Sequence, residues 1–114
     1  MWIFTTSGFV SAVRNTDDRT IIVRSRDRES LIPISKKYHT GIKPTPLADY
    51  PYRLELSSEN FVDWVADQAR CIDYPNFKSA VANYKNRLFA KALGDVWSVM
   101  HGVEDKSARR RLLI

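Results

Sequence analysis

A chain of 114 residues with 44% apolar and 27% charged side chains fits one ordinary globular domain, and at this size it can bury about two-thirds of its unfolded surface without metals or cross-links. A single cysteine, Cys71, excludes an internal disulfide and any cysteine-based metal cluster, and no apolar run approaches the roughly 20 residues of a membrane helix. The net charge of +5 is uneven: residues 1–47 hold eight Lys/Arg against four Asp/Glu, residues 48–103 six against seven, and residues 104–114 four against two, a hint of an acidic partner to be weighed against charge that serves solubility.

Met1-Trp2-Ile3-Phe4 reads as the start of a strand, without the charged start and long apolar stretch of a leader peptide. A cytoplasmic protein is the expectation. Trp2 to Thr5 and Phe9 to Arg14 are short β-prone runs joined by Thr6-Ser7-Gly8, where glycine supplies the positive φ of a tight hairpin. Thr20 to Arg26 is a third strand. Asp27 is placed to cap a helix over Arg28 to Tyr38, which Pro33 must shorten, kink or delay. His39 to Ala48, with Gly41, Pro44 and Pro46, reads as a loop, and Tyr52 to Leu56 alternates as a fourth strand.

The second half is helical. Ser57 or Ser58 can cap a helix carrying Phe61, Trp64, Val65 and Ile72 at three-four spacing. Phe77, Val81, Tyr84, Leu88, Ala92, Val96 and Met100 continue the pattern as one long helix, or as two broken near Asn83–Asn86 or Gly94, with Gly102 as the end. The order β-β-β-α-β-α-α predicts an α+β fold, a small mostly antiparallel four-stranded sheet with helices packed on one face. Residues 1–103 form the domain, and residues 104–114 a basic tail ending Arg109-Arg110-Arg111-Leu112-Leu113-Ile114. The expected core is Trp2, Phe4, Val23, Leu54, Leu56, Phe61, Trp64, Val65, Phe77, Val81, Leu88, Val96 and Trp97. Alternation puts Arg24, Arg26 and Arg53, with Arg14 as a further candidate, on the uncovered face of the sheet.

The tripeptide Asp-Tyr-Pro occurs twice, at Asp49-Tyr50-Pro51 before the fourth strand and at Asp73-Tyr74-Pro75 before a helix, and both act as punctuation. With them run Met1-Trp2-Ile3-Phe4-Thr5-x-x-Gly8-Phe9-Val10-Ser11, Arg24-Ser25-Arg26, Asp49-Tyr50-x-Tyr52-Arg53, Asp73-Tyr74-x-Asn76-Phe77-Lys78 and Val96-Trp97-Ser98-Val99-Met100. In this order they resemble a family of small uncharacterised bacterial and phage proteins, over residue 1 to about residue 101. The resemblance implies no reaction, cofactor or partner. It suggests a phage or prophage accessory protein, acting in the host cytoplasm if phage-encoded. Pro33 and the tail depart from the pattern.

Enzyme chemistry finds little footing. His39 and His101 stand outside any catalytic motif, no Gly-x-Ser-x-Gly elbow or phosphate loop is present, and Cys71 at the end of an apolar stripe reads as a buried structural thiol. No catalytic, cofactor or metal residues are assigned. Asp73 or Asn76 as a helix cap, and Arg53 paired with Glu55 or Asp49, account for most of the remaining polar residues. The leading reading is a non-catalytic module that binds and modulates a host protein. Nucleic-acid binding through the arginine face and tail is the alternative, expected to be weak and lost near physiological salt. A homodimer through the Trp2–Thr5 edge is a third. The binding candidates are Arg24, Arg26, Arg53, Asp49, Tyr50, Asp73, Tyr74, Lys78, Arg109, Arg110 and Arg111.

Overall fold

Three β-prone runs joined by tight turns fold as an antiparallel meander. In the structure, a computed structural model that describes residues 1–105, these are β1 (Trp2–Thr5), β2 (Gly8–Arg14) and β3 (Ile21–Ser25). A short 3-10 turn, Arg28–Ser30, precedes α1 (Ile32–Tyr38); then come β4 (Lys43–Pro44), β5 (Tyr52–Leu56), α2 (Ser58–Arg70), α3 (Phe77–Tyr84), α4 (Arg87–Met100) and a last 3-10 turn, His101–Val103. The sheet has five strands in the order β1-β2-β3-β5-β4, every neighbouring pair antiparallel. The expected α+β architecture is therefore present. The fifth strand is two residues taken from the proline-rich loop, where Lys43 and Pro44 pair with Arg53 and Tyr52. Pro44 is tolerated because β4 lies at the sheet edge, where a missing N–H breaks no ladder.

Local chemistry sets the boundaries. Asp27 caps the 3-10 turn rather than a long helix, its carboxylate accepting from the Ser30 amide at 3.2 Å. Pro33 falls in the first turn of α1, where its absent N–H costs nothing, so the helix starts late. Ser57 caps α2, accepting from the Asn60 amide at 3.1 Å. At the second Asp-Tyr-Pro the cap is Asn76, which accepts from Ser79 N at 3.0 Å. The assignment of that role to Asp73 is corrected: Asp73 stands three residues too early and is exposed.

The helical stripe over Phe77 to Met100 is broken at Lys85-Asn86, where Asn86 caps α4 by accepting from Phe89 N at 2.7 Å. A helical hairpin results in place of one rod. The main core joins one sheet face to α1 and α2: Val10, Ala12, Ile21, Val23, Leu54 and Leu56 meet Leu31, Ile34 and Trp64. Phe61 and Val65 are partly buried against it. Ala80, Val81 and Leu93 are buried apart from this cluster, within the α3–α4 hairpin.

Four residues expected inside are outside. Trp2, Leu88, Val96 and Trp97 are exposed, and Phe4 and Phe77 are only half-buried. For Trp2 and Phe4 the reason is phase: Ile3 and Thr5 take the core side of β1, so their neighbours face away. For α4 the reason is that α3 covers one flank only. Cys71 is also corrected, being exposed just past the end of α2 rather than buried within it.

Candidate functional site

Pleating fixes what the second face of the sheet presents. Residues directly opposite in neighbouring strands share a face, and the register aligns Trp2 with Ser11, Ser11 with Arg24, Arg24 with Arg53 and Arg53 with Lys43. One row therefore crosses all five strands on the face away from α1 and α2, and three consecutive members are cations. Like charges directly opposite on antiparallel strands repel. The ion pairs among the described residues engage none of them: these join Lys37 to Asp63 and Asp67, Lys85 to Asp27, Lys91 to Asp95 and His101 to Glu104. The expected pairing of Arg53 with Glu55 or Asp49 is therefore not formed. Glu55 shares the face but accepts from Thr20 Oγ1 at 3.0 Å.

Aromatic rings border the row. Phe4 and Phe9 are opposite each other in the next row and stack at 4.7 Å between centroids, and Trp2 meets Phe9 edge-on at 6.1 Å. The β4–β5 loop brings Tyr50 over the same face, its carbonyl accepting from Thr45 Oγ1 at 2.7 Å. The Arg24 and Arg26 Cζ atoms lie 4.7 and 4.6 Å from the Tyr50 ring centroid, and Arg26 donates to the Asp49 carbonyl at 2.8 Å. Cation–π contact offsets part of the repulsion for Arg24. Arg53 and Lys43 have no aromatic partner of this kind among the described residues. Arg24 also donates to Ser11 Oγ at 2.8 Å, but the Nε atoms of Arg24 and Arg53 are shut off from solvent with no hydrogen-bond partner among the described residues.

Of the binding candidates, Arg24, Arg26, Arg53, Asp49 and Tyr50 thus come together. Arg24 and Arg53 are half-buried beneath this layer rather than freely solvated. Arg14 is placed elsewhere, donating to Ser58 Oγ at the start of α2 at 3.0 Å. Asp73 and Tyr74 lie in the α2–α3 connection, where Tyr74 packs on Phe77 at 5.6 Å, and Lys78 sits over Trp97 at 5.0 Å. The two Asp-Tyr-Pro copies therefore serve different surroundings. Arg109, Arg110 and Arg111 lie outside the described residues. Lys43 was missed, because the two-residue strand that brings it in leaves no periodic trace, and Trp2, expected in the core, instead lies on this face with Phe9, two positions from Ser11 along β2.

A second surface lies on α4. At 100° per residue, Leu88, Ala92, Val96 and Val99 fall on one flank and Val103 extends it, with Leu93 turned toward α3. Leu88 is 81% exposed and Val99 74%. Arg87 and Lys91 border the stripe. Trp97 and Val96 also line a cleft of ≈ 400 Å³ with Phe4, Phe77, Leu93 and Lys78.

The hairpin is fastened to the sheet by Lys85. Its ammonium, with a side chain only 8% exposed, donates to Asp27 Oδ2 at 2.9 Å, to the Ser7 carbonyl at 3.2 Å and to Ser30 Oγ at 3.3 Å. Burial pushes the Asp27 carboxyl up, but its hydrogen bonds from Lys85 and Ser30 outweigh that and hold it below the usual value. Across α1 and α2, hydrogen bonding to Asp67 raises Lys37, and hydrogen bonds from Tyr38 and Lys37 lower Asp63. Both groups are solvent-facing ties between helices.

His39 closes α1 in the left-handed conformation, φ 52°, while His101 packs edge-on against Trp97 at 4.6 Å. No three His, Cys, Asp or Glu side chains gather to hold a metal ion among the described residues, and no described helix is long and apolar enough to cross a membrane. No family model, no curated protein and no solved structure matches the chain.

Proposed function

We propose that the protein is a non-catalytic binding module that docks on a partner protein through the open flank of α4. The observation that carries this reading is the stripe Leu88, Ala92, Val96, Val99 and Val103, continuous and exposed on a helix whose opposite flank is already packed on α3. A contiguous apolar stripe of this kind marks an interaction surface, and residues at i, i+4, i+8 and i+11 are the anchors a helix lays into an apolar groove. Arg87 and the Lys91–Asp95 pair border it, so the rim is of mixed charge. The resemblance to bacterial and phage proteins makes a host protein the first partner to seek, and modulation of that host protein the effect.

The test compares the wild-type chain with a Leu88→Lys, Val99→Lys double variant in a nuclease-treated host lysate. Both positions are exposed, so melting should be unchanged. Wild type should retain one protein in stoichiometric amount and the variant should not. Equal retention by the variant removes α4 as the docking surface. Light scattering on the purified chain shows whether the occupant is instead a second copy, since a dimer through this stripe becomes a monomer in the variant.

A further inference from the structure

We infer that the outer face of the sheet is a site for single-stranded nucleic acid, distinct from the α4 surface, with backbone phosphates on the Arg24–Arg53–Lys43 row and bases stacked at Trp2 and Phe9. Three observations converge on it. The row sets three cations on adjacent strands with no carboxylate paired to them among the described residues, an arrangement that costs stability unless an anion sits across it. The Arg24 guanidinium is held on this face by Ser11 Oγ at 2.8 Å and by the Tyr50 ring at 4.7 Å, so the charge is fixed in place before any anion arrives. The row ends at Trp2, which is 71% exposed although it is the largest side chain on the strand, and its ring meets Phe9. An exposed Trp2 backed by the half-buried Phe9, beside a cationic track, is what unpaired bases and their phosphates need, because every base offers a π-face while duplex bases offer none to a flat sheet. Glu55 lies on the same face two positions along β5 from Arg53 and bounds the track there. The occupant favoured over a protein is a nucleic acid because the cations are regularly spaced across strands and the apolar groups here are rings rather than aliphatic anchors.

The experiment measures anisotropy of a fluorescein-labelled oligothymidylate of roughly 15 nucleotides, within the span one small binding domain covers, and of a duplex of equal length. The single strand should bind more tightly than the duplex. Its log-log salt slope should be about −2, as three phosphates at about −0.7 each require. Trp2→Ala should weaken binding about 5- to 100-fold with the slope unchanged. Lys43→Ala should flatten the slope by about 0.7. Both side chains are exposed, so neither change should disturb folding, and melting checks this. Replacing Arg109, Arg110 and Arg111 together by alanine should leave most of the affinity. The inference is overturned if no binding occurs at low salt, if the duplex competes equally, if Trp2→Ala and Lys43→Ala both bind like wild type, or if the triple-arginine variant alone abolishes binding.

Discussion

At Gly8 a methyl group would stand 1.9 Å from Ser30 Oγ and 2.8 Å from Ser30 Cβ, with a backbone φ of +139° that side chains rarely adopt. The β1–β2 turn can approach the 3-10 turn so closely only because residue 8 has no Cβ. The close approach lets Phe9 N donate to Ser30 Oγ at 3.3 Å, and Lys85 donates to the same oxygen at 3.3 Å. Gly8→Ala should therefore cost about 1–3 kcal/mol, from strain and displaced packing together, as read by urea unfolding. Lys85→Ala should cost about 1–3 kcal/mol at pH 7, a moderate figure because its partner Asp27 is 44% exposed. The pH dependence has a definite sign. The folded-state pKa of Asp27 is depressed, so its contribution is complete above the unfolded value of about 3.9 and is lost as pH falls through the folded value. The melting difference between wild type and Lys85→Ala should accordingly hold at neutral pH and shrink in acid below about pH 4. A difference that is constant down to pH 2 would remove the ion pair as its source.

Among the elements, α2 is the one whose face decides the main core. Trp64 is buried against β-sheet residues and tilts against Phe61 at 6.0 Å. Trp64→Ala should cost about 3–5 kcal/mol, through lost burial and the cavity left behind. The start of α3 offers a paired comparison. Asn76→Ala should cost about 0.5–2 kcal/mol because it removes the oxygen that accepts from Ser79 N, whereas Asp73→Ala should stay within about 0.5 kcal/mol. Equal losses would mean that Asp73 contributes to the helix start by another route. A serine cap for α2, at Ser57 or Ser58, was legible from residue type, since serine competes with helical backbone; the break before α4 was legible only as one of two places, Asn83–Asn86 or Gly94. The choice between Asp73 and Asn76 was not legible, because both residue types cap and only the observed first turn selects one.

For the molecule as a whole, stability is unevenly distributed. The sheet, α1 and α2 share one continuous core, while Ala80, Val81 and Leu93 of the α3–α4 hairpin are buried outside it. The hairpin meets the rest through Lys85 and around Phe4, and a cleft of ≈ 610 Å³ opens beside the ion pair, lined by Arg26, Asp27, Tyr52 and Phe89 among others. Regions with few buried apolar contacts open before the global transition. Hydrogen exchange should therefore be faster at the α4 amides than at those of β2 and β3, and Lys85→Ala should speed α3 and α4 without changing the sheet. Equal protection throughout would show that the hairpin is as firmly held as the core. Docking of α4 on a partner should slow its exchange selectively.

Residue pattern by itself determined the mixed α+β class, the antiparallel meander and a helical second half, because period-two alternation, cap residues and prolines act over a few neighbouring positions; whether residues 77–100 form one helix or two stayed open. It also placed Arg24 and Arg53 on the face opposite Val23 and Leu54, since pleating leaves no other choice. Tertiary structure alone decided which apolar residues are inside. Trp2 and Leu88 carry the hydrophobicity of core residues, yet hydrophobicity does not say whether an opposing element covers them: β1 turns Ile3 inward and Trp2 outward, and α3 packs on a flank of α4 that does not include Leu88. The cation row was decided at the same level, because Arg24, Arg53 and Lys43 become neighbours only when a two-residue strand joins the far edge and fixes the register.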